Sequence, residues 1–286
     1  MTRGRPEKLR RETAALFFPF DLFGSGGTAR GAELLADAFR EMLGDNKRER
    51  KATRARAYTD CVRVEEFSFK TPADYQTWHA DARDAVRRAL QKKEFLFWIT
   101  GNHLGVLPVY EELGPDTLVL QLDAHLDIYH LSDCTEELCH GNFLLHAGEP
   151  LPAITNLGSR ELLLPPEHIA KYYRQVFAAE ELAVEPDAVL REIRQACAAA
   201  KSVFLDIDCD VFDPAFFPAV TNPLPFGIDP RMLLRLVDAA WSENVVGLAL
   251  SEFDPARDIN DRSLATLLWL LEFVLLKRHE GTPKSE

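Results

Sequence analysis

Apolar runs of strand length recur along this chain with helical stretches between several of them, and that alternation restricts its fold more than any other feature. The runs are EFLFWIT (94–100), TLVLQLD (117–123), AITNLG (153–158), SVFLDID (202–208) and NVVGLALSEF (244–253). Helical periodicity is read at 31–43, 72–92, 186–200, 230–241 and 263–277, with a shorter helix before Gly114. Strands that are apolar on both faces and alternate with helices belong to a mainly parallel sheet covered on both sides. The expected fold class is therefore α/β: a single three-layer domain over residues 1–286, with residues 1–13 as a loose basic tail. At 286 residues and 47% apolar, the chain is long enough to bury one such core.

The first strand is expected within 17–23, where Pro19 confines it to an edge or a late start. The glycine-rich loop at 24–28 leads into the first helix. Its spacing matches neither the P-loop nor the dinucleotide fingerprint, so it reads as a plain tight turn. The charge run NKRERKATRAR (46–56) reads as a solvated loop or helix face.

A formal charge of −12 argues against nucleic acid and anionic membrane as partners and is compatible with a small cationic substrate. No apolar run approaches bilayer-spanning length, and no long apolar stretch follows the basic opening MTRGRPEKLRRET, so a cytoplasmic location is expected. The five cysteines are odd in number and match no zinc spacing, which points to reduced thiols used in packing.

Two strings carry the chemistry. Asp123-Ala124-His125-Leu126-Asp127 directly follows one buried run, and Asp206-Ile207-Asp208-Cys209-Asp210 ends another. In an extended chain alternate side chains share a face, so each string can aim its polar groups into one site. In open α/β sheets the ligand crevice lies outside the carboxyl ends of the strands, where both strings fall. Carboxylates gathered there repel one another and are costly to bury ionised, and divalent cations are the natural remedy. Oxygen ligands mixed with imidazole, without thiolate, suit manganese better than structural zinc. The plainer alternative is ordinary acids at loop starts or helix N-termini. His103, in Thr100-Gly101-Asn102-His103, occupies the corresponding end of a third run.

Together these strings resemble the ureohydrolase family, which contains arginase, agmatinase and their relatives. The resemblance runs from Gly101-Asn102-His103 through DAHLD (123–127), CHGNF (139–143), DIDCDVFDP (206–214) and EFDP (252–255), and Pro218, Ala219 and Gly227 keep its register. It implies an arginase-like fold and two Mn2+ ions, one held by His103, Asp123, Asp127 and Asp208, the other by His125, Asp123, Asp208 and Asp210. It further implies His140 as a proton-shuttling residue and Glu252 as the carboxylate that pairs with a guanidinium, with Asp127 counted among the catalytic groups. A surface-loop histidine and a solvent-facing acid are the plainer readings of His140 and Glu252. Tyr129 and Asn142 are expected to contact substrate.

The implied reaction is hydrolysis of a guanidino C–N bond to urea and an amine, with relatives commonly forming trimers or hexamers. The alternatives are a formimino or amide C–N hydrolase on the same fold, or a non-catalytic metal-binding relative.

The sequence departs from the family pattern at several points. Asn102 replaces an acid, Asp206 replaces a serine, and the loop AFFPAVTNPLPFG (215–227) lacks most of the usual glycines, with Phe216 and Phe217 placed to reshape the site. Tyr129 stands where arginases carry asparagine, which disfavours a free α-amino acid and favours an agmatinase-like substrate.

Overall fold

The computed structural model describes residues 12–24 and 26–280. Its strands are β1 (Thr13–Phe18), β2 (Val62–Glu66), β3 (Phe95–Thr100), β4 (Thr117–Leu122), β5 (Ala153–Ser159), β6 (Gln175–Ala178), β7 (Ser202–Asp208) and β8 (Val245–Ser251). The helices are α1 (Ala29–Arg48), α2 (Pro72–Gln91), α3 (Leu107–Leu113), α4 (Pro166–Ile169), α5 (Ala179–Val184), α6 (Pro186–Ala199), α7 (Pro230–Ala240) and α8 (Arg262–Glu280). The strands form one 8-stranded sheet in the order β2-β1-β3-β8-β7-β4-β5-β6, and every pairing is parallel. The expected α/β sheet with helices on both faces is thus what the chain forms.

Strand parity divides the core in two. Phe95, Phe97 and Ile99 of β3 join Val203, Leu205 and Ile207 of β7 in the layer that α1, α6, α7 and α8 cover. Leu96, Trp98 and Phe204 face the opposite way, into the layer built with α2 and α3. Because successive strand residues alternate in direction, Asp206 and Asp208 share the face of Phe204, and Gln121 shares that of Val119. This parity decides what each acid of the second string can touch.

Two expectations near the N-terminus need correction. The first strand begins at Thr13 and ends at Phe18, rather than lying within 17–23. It also sits inside the sheet, bonded to both β2 and β3. Pro19 falls just after the strand and removes no ladder hydrogen bond, while all of TAALFF is buried, as an interior strand requires. Thr13, expected in a loose tail, is instead the buried start of β1, and residues 1–11 lie outside the described part. The loop after β1 is a turn: Asp21 Oδ2 accepts from the amides of Thr28 and Ala29 at 2.9 and 3.2 Å as α1 begins.

At Gly101 the strand β3 turns toward the site under a tight contact. A Cβ there would lie 2.3 Å from the Phe20 carbonyl oxygen, and the Gly101 carbonyl accepts from the Glu252 amide at 2.8 Å. Backbone on one side and a site residue on the other leave little room to relax. Gly101→Ala is expected to cost about 1–3 kcal/mol of stability, the usual range for overpacking. A denaturant midpoint unchanged from wild type would show that the contact yields.

Candidate metal centre

In a parallel sheet all strands end at the same edge, and here the four adjacent central strands β3, β8, β7 and β4 each deliver a chemically active side chain to it. His103 follows β3 in a short helical turn, and Glu252 follows β8. Asp208 closes β7 and Asp210 lies in the turn beyond, whose start is fixed by the Asp208 carboxylate accepting from the Asp210 amide at 2.9 Å. Asp123 follows β4 directly.

The first string converges differently from the alternation expected of an extended chain. The strand ends at Leu122, and the backbone bends so that Asp127 adopts a φ of 51°. Glu252 is likewise left-handed, with a φ of 60°. Such conformations are strained for residues with a Cβ and concentrate where surrounding structure holds a functional group in place. Here hydrogen bonds hold both. The Leu144 amide bonds the Asp127 carbonyl, and the Glu252 amide bonds that of Gly101.

Two clusters result. His103, Asp123 and Asp127 present ligand atoms within 4.8 Å of one another, and Asp123, His125 and Asp210 do the same, so Asp123 belongs to both. His103 Nδ1 stands 2.7 Å from Asp127 Oδ2 and 3.3 Å from Asp123 Oδ2. His125 Nδ1 is 2.8 Å from Asp210 Oδ2. Asp208, expected to bridge two ions alongside Asp123, is buried beside them with Oδ2 3.4 Å from His103 Nδ1, but it belongs to neither cluster.

These residues fit divalent cations on a specific observation. Asp123 is fully buried, and beyond the His103 Nδ1 contact at 3.3 Å its Oδ2 makes no hydrogen bond among the described residues. A buried carboxylate oxygen left so is costly without a cation. Burial first, then the charges of Asp127 and Asp210, push the Asp123 carboxyl up to about 7. Burial works against a charged His125, but the carboxylates of Asp210, Asp123 and Asp127 together outweigh it and push the imidazole up to about 10. His103 is also raised well above its ordinary value, against burial, chiefly by Asp206. Protons on the imidazoles thus supply part of the positive charge that the acids demand.

Asp206 was expected to converge with the other acids, but it does not line the cavity. It lies two residues below Asp208 on the same face, where its Oδ2 meets His103 Nε2 at 2.9 Å and the Tyr110 hydroxyl at 2.5 Å. Asn102 also turns away from the cluster, donating to the Leu22 carbonyl at 2.8 Å.

His140 arrives from the long β4–β5 connection. Its amide donates to the Phe23 carbonyl at 3.0 Å, and its Nδ1 lies 3.2 Å from Glu252 Oε1, which also accepts from the His103 amide at 2.9 Å. Burial opposes a charged His140, but its bond to Glu252 prevails and raises its pKa. Asn142, expected to touch substrate, is buried and tied within its own loop. Its Nδ2 donates to the carbonyls of Thr135 and Glu137, and its Oδ1 accepts from the Cys139 amide. It therefore shapes the loop that presents His140. Tyr129 does face the site, and burial first, then the nearby Glu161, raises its hydroxyl pKa above the ordinary value.

The cavity at this edge has a volume of about 210 Å³ and is lined by acids, imidazoles, Tyr129, Gly141 and Asn222. A wider surface groove of about 300 Å³ between α6 and α7 is lined by Leu190 and by surface charges such as the Arg235–Asp187 pair. Asn222 and Glu161 were not singled out from the sequence, because neither sits in a motif. Phe217 is buried and stacks on Phe212 at 5.1 Å, while Phe216 is exposed, and neither lines the cavity.

A parallel α/β sheet that gathers imidazoles and carboxylates into two clusters around one shared aspartate defines a candidate two-metal centre. The chain belongs to the arginase family, whose model matches residues 12–275. It is 27% identical to an agmatinase of Halalkalibacterium halodurans over 62% of each chain. It is 28% identical to an N(1)-aminopropylagmatine ureohydrolase of Thermus thermophilus, over 62% of this chain and 61% of that one. These alignments span less than two thirds of the relatives' own lengths. The crystal structure of an arginase from Bacillus subtilis shares the fold with a TM-score of 0.73 at 20% identity, covering 96% of this chain and 100% of that one.

Proposed function

We propose that this chain hydrolyses the C–N bond of a guanidino compound to release urea and an amine, and that His103, Asp123, Asp127, Asp208, His125 and Asp210 hold two Mn2+ ions for that reaction. Two such ions supply Lewis acidity that makes water nucleophilic near neutral pH. The observation that carries the reading is that two ligand clusters sharing the buried Asp123 stand beside a small cavity whose wall also carries Glu252 and His140. A carboxylate recognises a planar guanidinium fork well, and Glu252 offers one at the cavity wall. His140, bonded to Glu252, is placed to hold and deliver a proton to the departing amine. Tyr129 lines the cavity at the position where arginases carry an asparagine, which favours an agmatinase-like substrate over a free amino acid.

The relatives named agmatinase and aminopropylagmatine ureohydrolase support the same class. Urea release across a panel of guanidino amines and acids, with manganese added, tests it. Ammonia, formamide or carboxylate release without urea would replace it with formimino or amide hydrolysis, and silence across the panel by metal-loaded protein would leave a binding relative.

Glu252→Gln keeps an oxygen to accept from the His103 amide but removes the charge. We expect kcat/KM for a guanidino substrate to fall by about 10- to 100-fold, the loss of one hydrogen bond to a charged group. An unchanged value would remove Glu252 from substrate recognition. The proposal includes a cytoplasmic homo-oligomer, trimer or hexamer, which cell fractionation and light scattering read directly.

A further inference from the structure

Asp206 stands where the family pattern has a serine, and the sheet places it against a proposed metal ligand rather than in the cavity. It is fully buried on β7, facing the layer that contains α3. From α3, Tyr110, itself fully buried, donates its hydroxyl to Asp206 Oδ2 at 2.5 Å, and His103 Nε2 meets that same oxygen at 2.9 Å. The other ring nitrogen, Nδ1, faces the cluster, with carboxylate oxygens of Asp127, Asp123 and Asp208 at 2.7, 3.3 and 3.4 Å. The ring is further fixed edge-on against Phe143 at 5.2 Å between centroids.

A neutral imidazole carries one N–H, and the hydrogen bond made by one nitrogen decides which nitrogen keeps the lone pair. An acceptor-only carboxylate behind Nε2 therefore directs the lone pair to Nδ1. Tyr110 orients that carboxylate by occupying it from the helix side. A serine hydroxyl, able to donate as well as accept, imposes no such choice.

We infer that Asp206 is a positioning residue that locks His103 into the tautomer presenting Nδ1 to the metal cluster, with Tyr110 as its buttress. The inference rests on the two-metal reading of the site. It assigns the acid that departs from the family pattern to metal retention, and specifically to the ion on the His103 side.

The test is metal binding itself, read by manganese titration against a chelator of known affinity and by the electron paramagnetic resonance of the loaded protein. Asp206→Asn preserves shape and weakens the acceptor. The ion on the His103 side is expected to bind about 10- to 100-fold more weakly, the usual loss when the hydrogen-bond partner of a ligating histidine is changed. The ion on the His125 side should keep its affinity, and the resonance of a coupled pair should give way to that of a single ion at limiting metal. Tyr110→Phe, which removes only the buttress, is expected to weaken the same ion by less.

Wild-type affinity for both ions in Asp206→Asn would overturn the inference, as would equal weakening of both, which marks a merely structural role. Should Asp206→Asn fail to fold, Tyr110→Phe decides, and unchanged affinity there overturns it. Wild-type protein that takes up no manganese would overturn the two-metal reading and this inference with it, whereas failure of the variants alone sinks only the role of Asp206.

Discussion

Asp123→Asn is expected to stabilise the metal-free protein while abolishing metal-dependent stabilisation and hydrolysis. The two effects have opposite signs for one physical reason. Asp123 is fully buried, belongs to both ligand clusters, and faces the carboxylates of Asp127 and Asp210. Its carboxyl is pushed up to about 7, first by burial and then by Asp127 and Asp210, so near neutral pH the folded chain holds it at a penalty on the order of a few kcal/mol. An amide of the same shape removes that repulsion. It also removes the acid common to both clusters, and with it the several kcal/mol that paired Lewis acids contribute to a hydrolytic transition state, so activity should fall at least about a thousandfold. Thermal unfolding with and without manganese checks both halves. A variant that is less stable when metal-free, or that still gains stability from manganese, contradicts the account of Asp123 as a shared ligand.

The second large effect is on pH. Asp123 has a folded pKa of about 7 against an ordinary 3.8, so between those values the unfolded chain has released a proton that the folded chain still holds. Stability from this group therefore falls as pH rises through that window. His125 is pushed up to about 10 from an ordinary 6.5, and the stabilisation its charge brings is complete below 6.5 and lost as pH rises toward 10. The two windows overlap near neutral pH and slope the same way. Asp210, held below its ordinary value despite burial by His125, loses its contribution only at acid pH, outside this range.

Metal-free protein is thus expected to lose thermal stability steadily from about pH 5 to about pH 9, as the protons offsetting the acids leave. Metal binding must displace those same protons and so tightens with pH. The gap between metal-free and manganese-saturated melting curves should widen across that range, and at about a thousandfold excess over Kd it amounts to roughly 4 kcal/mol. A gap that is constant or narrows with pH would mean that the ions bind elsewhere.

The parallel α/β sheet was legible because its central strands are apolar on both faces and long enough to stand out. The strands left unread are β2 and β6, the two edges of the sheet. In β2 the sequence VRVEE is only partly buried, and Arg63 forms ion pairs with Glu65 and Glu94, so its composition reads as surface. The last strand, β6, is only 4 residues long. Edge strands need neither continuous apolarity nor length, so they leave little periodic signal. At the N-terminus, Pro19 drew attention to 17–23, although the strand ends just before it.

In the site, strand-end strings singled out His103, Asp123, His125, Asp127, Asp208 and Asp210, the family resemblance added His140 and Glu252, and the fold brings all of them to one edge. Alternation alone did not separate Asp206 from Asp208, because both share a face of β7 and only depth distinguishes them; the register of the family resemblance did. Neither showed that Asn142 is spent within its own loop, or that Glu161 and Asn222 stand near the cavity.

Local order along the chain therefore determined which residue types stand at strand ends, since apolar runs and the polar strings that follow them are properties of neighbours in sequence. What only tertiary structure decided is which nitrogen of His103 faces the cluster, that of the two acids expected to be shared only Asp123 joins both clusters, and which loop side chains reach the cavity. Those depend on the relative depth of strands β3, β4 and β7 and on helix α3 behind them, distances across the sheet that no stretch of sequence encodes by itself.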